Sequence, residues 1–400
     1  MRRVAELAEF SESPDYLCRR YLTAEHRATN ALVMGWMQAA GMAAHVDGAG
    51  NVVGRYEATQ TGQAALLVGS HLDTVRDAGP YDGMLGVLVG IECVDALHRA
   101  GQRLTHAIEV VGFGDEEGVR FQATLLGSTA LAGTFNQQLL SRADSDGVTL
   151  AQALREFGCD PDNIGSATKR AQDVLGYVEV HIEQGPVLDD EDLAVGVVTA
   201  IAGASRFNVH VGGFAGHAGT VPMRNRRDAL AAAAEMILAV EQRCNDGELV
   251  GTVGQISAAP GAVNVISGAT QFSLDVRSGD DMQRLTAVAD LKRQFAEIAT
   301  RRNVTTKLEQ THDAKACICS ADLTAQLCAA VERHQLPLRT LASGAGHDAM
   351  AVAALTPVAM LFVRCEAGIS HHPDEQMSTA DADTATAVLL DFLKHYQASA

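Results

Sequence analysis

Apolar positions along the chain follow two periods, and the way these periods alternate divides it into parts. Apolar runs near 43–56, 64–70 and 106–113 have the length of buried strands, whereas residues 85–100 repeat their apolar positions at helical spacing. Ahead of them a long helix is expected over 14–41, with Ser13 as N-cap, Pro14 at the first helical position and Gly41 just past the end. Strand patterns at 174–182 and 194–202 continue the same sheet. From Arg206 the order becomes strand (207–211), helix (226–243), strand (249–256), strand (270–276), helix (281–301) and strand (304–308). That β-α-β-β-α-β succession is the ferredoxin-like arrangement of a small self-contained sandwich. A helix over 321–334, strands around 337–341 and 357–363, and a last helix over 380–396 return to the earlier pattern. The expected fold class is therefore α/β. A mixed-sheet domain is built from residues 1–205 and 314–400 and interrupted at 206–313 by a lid-like insertion.

Chemistry gathers where the apolar runs end. The run 64–69 passes into Ser70-His71-Leu72-Asp73, and Asp82 follows just before the helical segment. His71 and Asp82 are metal-ligand types, and the Asp73 carboxylate is expected to accept the imidazole's other N–H and so fix its tautomer. The next apolar run, 108–113, meets three successive carboxylates, Asp115, Glu116 and Glu117, which repel one another unless a cation neutralises them. Alternation along 178–182 places Glu179 and His181 on one face. After the run 359–363 comes Ser370-His371-His372-Pro373-Asp374-Glu375. One histidine alone is commonly a satisfied core or surface residue. Four strand ends carrying His, Asp, Glu and His together point to a divalent metal centre, with ligand types that suit Zn²⁺, Mn²⁺, Co²⁺ or Ni²⁺ better than Ca²⁺ or Mg²⁺. All of these residues lie in the outer domain.

Composition narrows the setting. The 400 residues suffice for two domains, and 47% hydrophobic with 20% charged residues is ordinary for a globular protein. A net charge of −18 argues against nucleic-acid or acidic-membrane partners. Eight cysteines show no C-x-x-C pair, and Cys317-Ile318-Cys319 reads as buried strand rather than as a redox pair. With no signal-like or membrane-spanning apolar segment, the expected location is the cytoplasm.

Seven motifs carry a resemblance: Ser-His-Leu-Asp-Thr-Val (70–75), Tyr-Asp-Gly-Met-Leu-Gly-Val (81–87), Glu-Glu-Gly-Val-Arg-Phe (116–121), His-Ile-Glu-Gln-Gly-Pro (181–186), Gly-His-Ala-Gly-Thr-Val-Pro-Met (216–223), Gly-Ala-Gly-His-Asp-Ala (344–349) and Gly-Ile-Ser-His (368–371). The chain resembles the M20 metallopeptidase-like amidohydrolases, and more narrowly their ureido branch, the allantoate amidohydrolases and N-carbamoyl-L-amino-acid hydrolases. The resemblance implies two divalent ions bridged by Asp82, with His71 and His181 completing one and Glu117 and His371 the other. His372 is the alternative to His371. It also implies Glu116 as general base, His217 as the group polarising the scissile carbonyl, and Asn264, Arg277 and Arg206 as contacts of a substrate carboxylate. Gln184 and His347 would be further contacts. A homodimer formed through the inserted domain would carry His217 and Asn264 to the partner's site. The residues themselves leave other readings open: Arg277 as a surface ion pair, Asn264 as a turn cap, and the glycine-rich loop around His217 as a phosphate cradle. Arg364-Cys365, where many relatives have Pro-Ser, would add a cation near the metal end, and the basic run 224–227 is also unusual. Allantoate is the leading expected substrate, ahead of N-carbamoyl-L-amino acids and of a peptidase or deacylase activity on the same scaffold.

Overall fold

The structure is a computed structural model describing residues 1–245 and 249–398. It divides into two compact units. One comprises Met1–Thr199, Cys319–Leu341 and Ala345–Ala400; the other comprises Ala200–Ile318 with Ala342–Gly344.

The first unit is organised by four mutually parallel strands in the order Ala107–Phe113, Ala65–His71, Val174–Ile182, Val358–Val363. They are almost wholly buried, as apolar runs covered on both faces must be. Helices Met84–Arg99 and Thr379–His395 share one core with Leu66, Val68, Val178 and Val180. Each such aliphatic side chain contributes roughly 1.5–3 kcal/mol on leaving water. Antiparallel strands extend both edges: Val52–Tyr56 and Ala43–Val46 beside Ala107–Phe113, and Val195–Ile201 beside Val358–Val363. The run 43–56 is thus a hairpin and not one strand. Asp47 accepts the amides of Ala49 and Asn51 and forms the turn.

The expected helix over 14–41 is half right. The helix runs Ala24–Ala39, and its N-cap is Thr23, not Ser13. Upstream, the backbone donors that a helix would need are taken by side chains: Cys18 N–H by Ser11 Oγ (3.0 Å), Arg19 N–H by Thr74 Oγ1 (2.8 Å) and Arg20 N–H by Glu12 Oε1 (2.7 Å). Leu22, at φ 58°, then turns the chain into the helix. Residues 114–173, where no element is expected, contain the short helices Leu126–Leu131 and Leu150–Phe157 around a small core with Tyr21 and Phe121.

In the second unit the sheet order is Ile256–Ala259, Ala269–Ser278, Gly203–Gly212, Thr305–Ala314. Period-two alternation divides its faces. Phe207, Val209, Val211, Phe272, Leu274 and Val276 are buried against helices Ala229–Arg243 and Asp281–Arg302. The strand expected at 249–256 is broken into Val250–Thr252 and Ile256–Ala259, both paired to Ala269–Ser278. The strand expected at 304–308 continues to Ala314. Among the described residues no helix is long and apolar enough to cross a membrane.

Candidate metal centre

Parallel strands deliver their carboxyl ends to one edge of a sheet, where α/β folds build their sites. His71 is the last residue of Ala65–His71, His181 the penultimate residue of Val174–Ile182, and Glu116 and Glu117 follow Ala107–Phe113. Asp82 lies two residues before helix Met84–Arg99, whose N-cap Gly83 has φ 75°. A Cβ on Gly83 would come 2.5 Å from the His71 ring, so this turn requires glycine.

These side chains meet. Asp82 Oδ1 lies 3.2 Å from His181 Nε2 and 3.8 Å from His71 Nε2, while Asp82 Oδ2 lies 3.0 Å from His371 Nε2. His371 Nε2 is also 3.4 Å from Glu117 Oε1. The two oxygens of one carboxylate thus face two separate donor groups. His71, Asp82 and His181 form one set, Asp82, Glu117 and His371 a second, and Glu116 stands beside His71 and Glu117 in a third. His372 is exposed, with its Nδ1 accepting the Asp374 amide, and it belongs to none of these groups.

Hydrogen bonding leaves this donor set suited to a cation. His71 Nδ1 donates to the Asp73 carbonyl (3.0 Å) and His181 Nδ1 donates to the Ile182 carbonyl (3.0 Å). In neutral rings both Nε2 atoms then carry bare lone pairs, yet they lie 3.4 Å apart beside an anionic oxygen. Divalent ions fit this arrangement. The Asp73 carboxylate is not the tautomer-fixing partner expected from the sequence. It is 3.7 Å from His71 Nδ1, and instead accepts the backbone N–H groups of Glu116 (3.1 Å) and Glu117 (3.2 Å). Asp73 therefore joins the two ligand-bearing loops. Two further backbone turns are strained, with Asp115 at φ 62° and His371 at φ 54°.

The charge balance follows from burial. Burial opposes ionisation of Asp82, but the hydrogen bond from His371 and the nearby His181 and His71 win and hold it below the usual range. Burial lowers His181 to about 4 against the pull of Asp82. The hydrogen bond to Asp82 raises His371 to about 9. Burial and Asp82 push Glu117 to about 7, and burial with its carboxylate neighbours holds Glu116 well above its ordinary value.

The remaining expected residues separate into groups. Gln184, expected to contact substrate, places Nε2 3.2 Å from both Asp82 oxygens and 3.4 Å from His371 Nε2. His347 is buried with its ring centroid 4.5 Å from that of His181. Arg206 and Arg277, in the other unit, both bind Asp275 at 3.0 Å, and Arg277 Nη1 also donates to the Gly344 carbonyl. Together with Asn208, Gln255 and Ser273 they line a cavity of about 590 Å³. His217 and Asn264 are exposed on a separate ribbon, Gly216–His217 paired with Val265–Ile266, where the Ala218 amide donates to the Asn264 carbonyl. The phosphate-cradle reading does not hold there. The amides of Gly213, Phe214, Ala218 and Gly219 are already bonded to Gly268, Arg227, Asn264 and the His217 ring. Arg364 is bound to Asp381 and Asp192, so it adds no free cation near the metal end. Arg226 donates to the Val221 and Ala218 carbonyls, bracing the His217 loop. The sequence reading assigned no role to Glu375 and Ser370. Glu375 accepts the backbone amides of Tyr81 and Asp82 as well as the Ser370 hydroxyl, and Ser370 also lies beside Gln184.

Residues 67–395 match the family described as peptidase family M20/M25/M40. The chain belongs to that family. Among its relatives is "Allantoate deiminase 2" of Glycine max, 42% identical over 98% of this chain and 88% of the relative. "N-carbamoyl-L-amino acid amidohydrolase" of Geobacillus stearothermophilus is 39% identical over 97% of this chain and 95% of that one. A solved hydantoinase/carbamoylase-family amidase from Burkholderia multivorans superposes with a TM-score of 0.91 at 34% identity, covering 98% of this chain and 95% of that structure. M20 proteins are metal-dependent hydrolases, and the donor groups around Asp82 give this member a place for such ions.

Proposed function

We propose that this protein hydrolyses a ureido C–N bond in a small carboxylate substrate, with allantoate as the lead substrate and release of ammonia and carbon dioxide. The observation that carries the reading is the carboxylate of Asp82 shared between two histidine-containing donor groups, with Glu116 beside them and outside both Asp82-centred groups. The allantoate deiminases and N-carbamoyl-L-amino-acid amidohydrolases among the relatives support a ureido substrate, and they make N-carbamoyl-L-amino acids the second reading. A peptidase or deacylase activity is the third, in keeping with the family's description.

His71, His181 and Asp82 would hold one divalent ion, and Asp82, Glu117 and His371 the other; Zn²⁺, Mn²⁺, Co²⁺ and Ni²⁺ suit these ligands. Bound there, such ions acidify water and polarise the ureido carbonyl, which is poorly electrophilic because both nitrogens donate into it. Glu116 takes the attacking water's proton and returns it to the departing nitrogen. Its raised pKa in the metal-free protein reflects the burial that makes a carboxylate an effective base. His217 stabilises the developing oxyanion, a contact that typically contributes about 10²–10³ in rate. Arg277, Arg206 and Asn264 anchor the substrate carboxylate, with Gln184 and His347 near the ligands. The second unit, which we assign as a ferredoxin-like lid spanning 206–313, also serves as the dimerisation domain of a cytoplasmic homodimer. Its exposed Phe214, Met223, Leu238 and Val263 support that assignment.

The test is ammonia release from allantoate and a panel of N-carbamoyl-L-amino acids, set against amino-acid release from simple dipeptides, after loading with Mn²⁺, Zn²⁺ or Co²⁺. Activity on dipeptides alone would overturn the ureido reading, and light scattering of the eluted protein checks the dimer.

A further inference from the structure

The two donor groups around Asp82 are held by different means. His71 and His181 stand on neighbouring strands of a parallel ladder, and each ring is fixed by a hydrogen bond to a nearby main-chain carbonyl. Asp82 and His371 come from loops far apart in sequence, and the His371 side chain is 48% exposed. Besides Gln184, which bonds Asp82 and Ser370, one carboxylate joins these loops at their main chain. Glu375, 2% exposed, accepts the Tyr81 amide (2.8 Å) and the Asp82 amide (3.1 Å) on Oε1, and the Ser370 hydroxyl (3.1 Å) on Oε2. Its own amide closes the turn onto the His372 carbonyl (3.0 Å). Gly79 leaves the room, since a Cβ there would come 2.2 Å from the Glu375 side chain.

We propose that Glu375 is a positioning residue for the ion held by Asp82, Glu117 and His371, and that it acts by tying the Asp82 loop to the His371 loop. The inference rests on the metal-centre reading above. Ser370 stands where the two loops meet. Its hydroxyl lies 3.5 Å from Asp82 Oδ2 as well as 3.1 Å from Glu375, and a glutamine at 375 would keep this link by donating its amide N–H to Ser370 Oγ. The ion at His71 and His181 depends on the tie less, because it shares Asp82 with the second ion but draws its other two ligands from the sheet.

Two substitutions separate reach from charge. Glu375→Gln keeps an oxygen that can accept the Tyr81 and Asp82 amides but removes the charge. Glu375→Asp keeps the charge and, one methylene shorter, cannot span the two loops. Each metal-free protein is titrated with Co²⁺, following heat and visible absorption, and metal content after dialysis is measured. Wild type is expected to bind two ions. Glu375→Asp should keep the first near wild-type affinity and bind the second about 10–100-fold more weakly, whereas Glu375→Gln should stay within about threefold for both. An Asp variant with both ions at wild-type affinity, an equal loss of both, or a Gln variant as weak as the Asp variant each overturns the proposal. A wild type that binds fewer than two ions overturns the metal centre itself, and this proposal with it.

Discussion

Glu116 and Asp73 show how much a single letter reveals. Glu116 is one of two adjacent glutamates, and its neighbour faces His371 while its own carboxylate lies beside His71. Glu116→Gln removes the proton acceptor and preserves the shape. Turnover should fall by about 10²–10⁴ while metal content and substrate affinity stay near wild type, read by steady-state kinetics alongside metal analysis. Near-normal turnover would take the base role from Glu116. The metal-ligand types were legible because His, Asp and Glu at four strand ends carry their chemistry in the side chain itself. The tasks of Asp73 and Glu375 were not legible, because their partners are backbone amides, and no residue name announces a free N–H.

At the scale of elements, the apolar periods located the central strands and most helices, and the errors arose where side chains compete with backbone pairing. The stretch 14–23 has an N-cap residue and a proline in helical order, yet its donors go to Ser11, Thr74 and Glu12. Arg19 completes that stretch. It is fully buried, donates to the carbonyls of Leu72, Leu7 and Phe10, and burial lowers its pKa to about 10 against the favourable pull of Asp73. Arg19→Met leaves these acceptors unpaired at about 1–3 kcal/mol each. A total loss on the order of 3 kcal/mol or more is therefore expected in urea unfolding, and a loss below about 1 kcal/mol would show that water replaces the guanidinium. The break at Gly254-Gln255 in the expected strand 249–256 was similarly invisible, since both halves keep strand-like composition and only pairing to Ala269–Ser278 separates them.

For the whole molecule, the buried acids make stability depend on pH and on metal. In the metal-free protein burial raises Glu117, Glu375 and Asp348 to about 7 and Glu179 to about 8. A group held above its ordinary value of 4.5 or 3.8 favours the fold fully below that value, and this contribution is lost as the pH rises through 7 to 8. His371, raised to about 9, has the same sign. His181, lowered to about 4, and His26, lowered to about 3, with His106 and His347 also lowered by burial, oppose the trend only below about pH 6.5, and Asp82, held low, loses its contribution only in acid. The melting temperature of metal-free protein should therefore fall from pH 5 to pH 8, and saturating Mn²⁺ should flatten the slope. A rise over that range in scanning fluorimetry with a chelator would contradict this balance.

Strand Val358–Val363 lies inside the sheet, between Val174–Ile182 and Val195–Ile201, and His371 follows it only eight residues later. During synthesis the growing polypeptide therefore carries a gap inside its principal sheet until residues 358–363 emerge, long after both neighbouring strands. The full donor set assembles only once His371 has followed, so translation products that stop before it would lack a mature centre however much of the amino-terminal portion they contain.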